Sequence, residues 1–119
     1  SVRFDDGFVV NVELAKTAVE HQQGLSNRDE LTDNSGMLFL FETQRKPSFW
    51  MKDMRFPLDL VWIDGETVVG FEENVPYTQT DPLLIYSPKT EVNRVLEVVA
   101  GTVKAHGVEV GDHLDIDLP

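Results

Sequence analysis

The chain contains no cysteine. This removes disulfides, thiolate-zinc sites and thiol nucleophiles together, and leaves either redox environment open. No apolar run approaches the roughly 18 residues needed to span a bilayer as a helix. Basic side chains are scarce: 10 Lys and Arg face 21 Asp and Glu, a net charge of −11 over 119 residues. Such a surface repels phosphate backbones and anionic lipid, so nucleic acid is not an expected partner. A glycine-rich phosphate loop is also missing, because Gly107-x-x-x-Gly111 lacks the following Lys-Ser/Thr pair. Ser26, Ser35, Ser48 and Ser87 lie outside any G-x-S-x-G elbow, which leaves serine hydrolysis without support. His21 and His106 have no second histidine at metal spacing. His113, Asp115 and Asp117 share one side of a terminal strand, but in so acidic a chain they read as a solvated face. No metal and no cofactor are predicted.

What is present reads as one domain over residues 1–119, with a hydrophobic fraction of 41% that suffices for a single core. FVVNVEL (8–14) alternates like a strand with one buried face, and Asp6-Gly7 turns a short lead strand back onto it. In TAVEHQQG (17–24), Thr17 and Glu20 form a capping-box pattern and Gly24 a stop, which predicts a short helix. GMLFLF (36–41) is a strand buried on both faces. Two β-branched and aromatic runs meet at Asp64-Gly65, a pair favoured in type I′ hairpins. Residues 76–90 carry Pro76, Pro82 and Pro88 and form a long loop, placed to cover part of a cleft. A strand at 94–101, a helical turn at 101–107 and a last strand within 108–118 complete the chain. The predicted fold is α+β and mainly β: an antiparallel, barrel-like sheet of seven or eight strands with two short helices.

The segments GLSNRDEL, GMLFLF, FWMKDMRFPLDLVWID, RVLEVVAG and GVEVGD, in this order and spacing, resemble the DUF192 family of small bacterial and archaeal domains of uncharacterised function. FWMK followed by PLD is the specific part of the match. By position, the resemblance marks Gly24, Leu25, Arg28, Gly36 to Phe39, Phe49 to Lys52 and Pro57 to Asp59, then Leu96, Glu97, Gly101, Gly111 and Asp112. Gln23, Ser26 and Asp53-Met54 depart from the residues such domains often show. Members often follow a leader, and this chain begins at Ser1 without an initiator Met. An extracytoplasmic location after processing is therefore the expectation, with a cytoplasmic one as the alternative.

Within FWMKDMRFPLD, strand alternation sends Phe49 and Met51 to one face and Trp50 and Lys52 to the other. An indole beside an ammonium, with Asp59 beyond a proline turn, suits a small polar ligand such as a saccharide or peptide. Arg28 follows a helix end, where its guanidinium can clamp a carboxylate. Glu97 interrupts the apolar run VLEVV, and a buried acid is normally paired, here with Arg28 or Lys52. The expected ligand site is therefore a cleft lined by Arg28, Trp50, Lys52, Asp59 and Glu97, in a module that binds without catalysis. Two alternatives stand beside it. One is a hydrolase or isomerase dividing acid and base roles between Asp59 and Glu97; the other is an envelope scaffold in which these residues only stitch the barrel together.

Overall fold

A computed structural model describes residues 1–77 and 84–119. Among the described residues, the strands are β1 (Val2–Arg3), β2 (Val9–Ala15), β3 (Ser35–Arg45), β4 (Leu58–Asp64), β5 (Thr67–Val75), β6 (Val92–Val99) and β7 (Asp115–Ile116). Helices α1 (Ala18–Gln23) and α2 (Thr102–Ala105) join them. One curled sheet runs in the order β5-β4-β6-β3-β2-β1-β7. Its two ends meet just before β7: Val68 N–H donates to Asp112 O, Gly111 N–H to Val68 O and Leu114 N–H to Glu66 O. These bonds draw the β5 edge toward the chain terminus and curl the sheet into a half-barrel.

The mainly β reading holds, with one correction: the sheet is mixed. β2 and β3 run parallel, Val12 opposite Gly36 and Leu14 opposite Leu38, while the other pairs are antiparallel. A parallel pair needs a crossover of a dozen or more residues, and the segment carrying α1 between Ala15 and Ser35 supplies it. The Asp64-Gly65 hairpin also forms, but Asp64 is the last residue of β4 and pairs with Thr67. Positive φ therefore falls on Gly65 alone, the first turn position, as a type II′ turn requires rather than I′.

Strands β3, β4 and β6 are apolar on both faces, and each face has its own core. The inner face gathers Val10, Leu38, Val61, Ile63, Leu96, Val98 and, from α2, Val103. The outer face gathers Leu25, Met37, Phe39, Met51, Leu58, Leu60, Trp62 and Val95. Helix α1 and the chain from Phe49 to Met54 cover this second core. Because side chains alternate along a strand, neighbouring residues of β4 or β6 are committed to different cores. This parity decides where the two buried acids point.

The FWMK stretch is not a strand. Phe49 forms an isolated bridge to Tyr86, with mutual N–H···O bonds of 2.8 Å, and the chain then turns, with Asp53 in a left-handed conformation at φ 62°. The predicted alternation of burial nevertheless holds. Met51 is 4% exposed and Trp50 is 48% exposed, with Lys52 also facing solvent. The expected loop over 76–90 falls partly on 78–83, outside the described residues.

Candidate functional site

Helix α1 is short, and local chemistry holds it. The Thr17 hydroxyl accepts from Glu20 N–H at 3.1 Å, while the Glu20 carboxylate accepts from Thr17 N–H at 3.0 Å and Lys16 N–H at 2.9 Å. These bonds satisfy orphan donors at the helix start and hold the Glu20 carboxyl below its ordinary value. His21 turns inward from this helix. Its Nε2 lies 2.9 Å from both Ala15 O and Leu40 O. Carbonyls only accept, so Nε2 carries the hydrogen and in the neutral ring Nδ1 is left as an acceptor. The helix ends at Gly24, where φ is 49° and ψ −131°, a backbone region closed to residues with a side chain. A Cβ there would stand 3.3 Å from Phe39 Cζ and 3.7 Å from Glu97 Oε1. Gly24 thus lets the chain pass directly over a buried carboxyl.

That carboxyl belongs to β6. Glu97 lies opposite Met37 of β3 and Leu60 of β4, on the outer face of the sheet, and is 5% exposed. Its Oε1 has no hydrogen-bond partner among the described residues. Burial alone pushes its acid up to about 8, because the low-dielectric surroundings disfavour the charged form. At neutral pH the group is therefore mostly a carboxylic acid.

Glu97 forms part of the lining of a hollow of about 200 Å³ bounded by His21, Gly24, Phe39, Phe49, Trp50 and Lys52. The rings are tightly arranged: Phe39 meets Phe49 edge-on at 5.0 Å, and His21 lies 5.9 Å from Phe39 and 4.5 Å from Phe41. Lys52 Nζ stands 5.4 Å from the Trp50 ring centroid, a cation–π distance. Past Trp50 and Lys52 a second hollow of about 260 Å³ shares Gln22, Gln23 and Ser26 with the first and extends to Val19 and Asp53. The two make one groove, with Trp50 and Lys52 between them.

Three of the five sequence-predicted residues, Trp50, Lys52 and Glu97, come together here. The other two do not. Arg28 binds Glu13 bidentately through both terminal nitrogens, and this holds the Glu13 carboxyl low and the guanidinium high. It reaches neither Glu97 nor the hollow. Both partners are well exposed, at 38% and 57%, so the pair contributes little. Asp59 is fully buried on the opposite face of the sheet, opposite Val98. Its Oδ1 accepts from Asn74 N–H at 2.8 Å, and its Oδ2 from Gly101 N–H at 3.1 Å and Val103 N–H at 2.9 Å. Gly101 brings no side chain to cap α2, and Asp59 does it from a distance. The expected pairing of Glu97 with Arg28 or Lys52 is likewise absent among the described residues. His113 contacts Glu66 at 3.4 Å, and the described residues gather no group of three acids or histidines around a cation-sized space.

The profile of the DUF192 family, described as Uncharacterized ACR, matches residues 2–116. The chain belongs to the DUF192 family. Two solved structures are similar to this DUF192 domain. One, from Sinorhizobium meliloti 1021, is described as a candidate transcription regulator; it is 36% identical with a TM-score of 0.83, over 96% of this chain and 88% of that one. The other, from Novosphingobium aromaticivorans DSM 12444, is described as a protein of unknown function; it is 31% identical with a TM-score of 0.83, over 97% and 81%. No curated protein matches. Among the described residues, no helix of the DUF192 domain is long and apolar enough to cross a membrane.

His21 and Gly24 are the site residues that sequence reasoning missed. His21 has no second histidine at metal spacing, and Gly24, though marked by the family resemblance, reads in the sequence as a helix stop rather than as part of a site. A usable signal existed: the capping box fixes where α1 begins, and the Gly24-Leu25 end brings the chain back onto the sheet.

Proposed function

We propose that this DUF192 domain is a non-catalytic module that binds a small polar ligand, a saccharide or a peptide, in the groove between α1 and the 49–54 segment. The observation that carries this reading is the buried Glu97 carboxyl, unpartnered at Oε1 among the described residues, in a hollow rimmed by half-exposed Trp50 and Lys52. Buried polar atoms in folded proteins are nearly always hydrogen-bonded, and an orphan costs about 1–3 kcal/mol. A ligand donor in the hollow would remove that penalty. The indole supplies a stacking face and the ammonium fixes orientation. The two-carboxylate hydrolase reading gains no support, since Asp59 and Glu97 project from opposite faces of the sheet. A net charge of −11 opposes contact of this chain with nucleic-acid phosphates.

The test is a titration of ¹⁵N-tryptophan-labelled protein with glycan and peptide libraries. Trp50 is the reporter, and Trp62, only 3% exposed, is the internal control. A saturable shift of the Trp50 indole with Trp62 unmoved, lost in Lys52→Met at unchanged stability, supports binding. A Trp50 signal indifferent to every compound overturns it, and a Lys52→Met protein that merely unfolds points to a stitching role.

A further inference from the structure

The groove has a polarity that narrows the ligand class. Its inner end combines one unpaired carboxyl oxygen with the Phe39 and Phe49 rings and the imidazole of His21. Its outer end is amphipathic, with Trp50, Lys52, Gln22, Gln23 and Ser26. We propose that the inner end takes an ammonium group of the ligand, with Glu97 as its counter-charge and the aromatic rings as its walls. This rests on the reading of the groove as a ligand site and names what that site selects.

Three features favour an ammonium over a neutral hydroxyl. A hydroxyl can donate to Oε1 but leaves the site without charge pairing. An ammonium donates and also pairs with the carboxylate in low dielectric, where charge-assisted bonds are strongest. Aromatic rings attract cations through their quadrupoles, and the Trp50 ring already carries one, the Lys52 ammonium at 5.4 Å. The net charge of −11 raises the local concentration of cationic ligands over anionic ones. Lys52 forms no ion pair with Glu97 among the described residues. From the rim it meets the ligand's distal polar or anionic group. An amine with a polar tail, such as a peptide N-terminus or an amino sugar, fits both ends.

Binding then carries a proton balance. Below about pH 8 the Glu97 acid is neutral, so an ammonium arriving as a cation displaces the carboxyl proton to solvent and pairs with the carboxylate left behind. Around Glu97, β3 presents Met37 and Phe39 and β4 presents Leu60, none of which titrates. The titratable groups facing the hollow are His21 from α1 and Lys52 from the 49–54 segment. The ionised fraction of an acid with a value near 8 rises roughly 50-fold between pH 6 and pH 8, and apparent affinity for the amine rises with it.

The experiment uses the full chain with ¹⁵N-tryptophan and ¹³Cδ-glutamate labels and three matched probes: 4-aminobutanol, 1,4-butanediol and N-(4-hydroxybutyl)acetamide. At pH 7 only the amine shifts the Trp50 indole, and the Glu97 carboxyl resonance moves toward its ionised position. The dissociation constant falls roughly 50-fold from pH 6 to 8. Glu97→Gln weakens amine binding at least tenfold while the Trp62 indole reports an intact fold. Equal binding of the diol or the acetamide, or amine binding untouched by Glu97→Gln, overturns the assignment. If glycans or neutral peptides shift Trp50 and the amine does not, the ammonium inference fails while the polar-ligand reading stands. A Trp50 resonance silent to all of them overturns both.

Discussion

Replacing Glu97 by Gln should make this domain more stable, by a margin that opens above pH 4.5 and is complete above about pH 8. The carboxyl has an ordinary value of 4.5 when exposed and about 8 in the fold, with burial as the cause. Below pH 4.5 both states hold the proton and the acid behaves as a neutral polar group. Between pH 4.5 and 8 the folded state binds more protons than the unfolded chain, so stability falls as pH rises through that window. Above pH 8 both states are ionised and the loss is complete. A separation of some 3.5 units corresponds to about 5 kcal/mol at 1.36 kcal/mol per unit. That is a large part of the roughly 5–15 kcal/mol by which a domain is stable. The amide introduced by Glu97→Gln stays neutral throughout. The variant should therefore match the parent near pH 4.5 and exceed it by up to about 5 kcal/mol near pH 9. For a chain of 119 residues this is a melting-temperature gap of about 20 °C.

Urea or thermal unfolding of both proteins at intervals from pH 4.5 to 9 measures the gap. Subtracting the two profiles removes the self-repulsion of the other charges, which also varies with pH. Parallel profiles with a constant offset would refute the reasoning, because they would mean that Glu97 is paired or hydrated in solution. A gap that narrows rather than widens as pH rises from 4.5 to 8 would refute it as well.

Other outcomes follow from the same face-by-face placement. Asp59→Ala strips three backbone donors, that of Val103 buried and those of Asn74 and Gly101 partly buried, of their acceptor and should destabilise by about 3 kcal/mol. Asp59→Asn, whose amide presents hydrogens to at least one of those donors, should fall between it and the parent, with faster hydrogen exchange across α2. Neither change should move the Trp50 indole. Gly36→Ala would put a Cβ 2.5 Å from the backbone oxygen of Glu97. The backbone must give way, so the expected loss is about 2 kcal/mol or more, read by urea unfolding.

Much of this architecture was legible because its signals are local. The Thr17–Glu20 box, the Asp6-Gly7 turn and the doubly apolar run GMLFLF each name a structure through residues a few positions apart. The burial alternation in Phe49-Trp50-Met51-Lys52 was legible too, although the backbone that produces it is not a strand. An extended chain lying over an apolar face alternates in burial with or without a ladder, and the turn after Lys52 ends the pattern, with Asp53 exposed and Met54 buried. The parallel β2–β3 pair was available as well, since the distance from Ala15 to Ser35 suits a crossover better than a hairpin. Out of reach were partnerships set by topology. Arg28 and Glu13 lie 15 residues apart, and Asp59 finds its donors at separations of 15, 42 and 44. No spacing rule connects such positions.

The two buried acids show how far a shared residue type can mislead about role. Both sit in apolar strands and both look anomalous in sequence. Strand parity sends Asp59 to the inner core, where the start of α2 and the end of β5 bring it three N–H donors. Both of its oxygens accept backbone hydrogen bonds within the fold. Parity sends Glu97 to the outer core, where Met37 and Leu60 flank it and Gly24 crosses above it without donating. Nothing described in the fold answers that carboxyl, and the stability it removes grows with pH. A fold that needed only a filler between β3 and β4 would do better with an amide or an aliphatic side chain in its place. The acid makes physical sense where something arriving from the groove completes it, and the Glu97→Gln variant separates the two accounts: a gain in stability joined to a loss of binding is the signature of a residue held for its ligand.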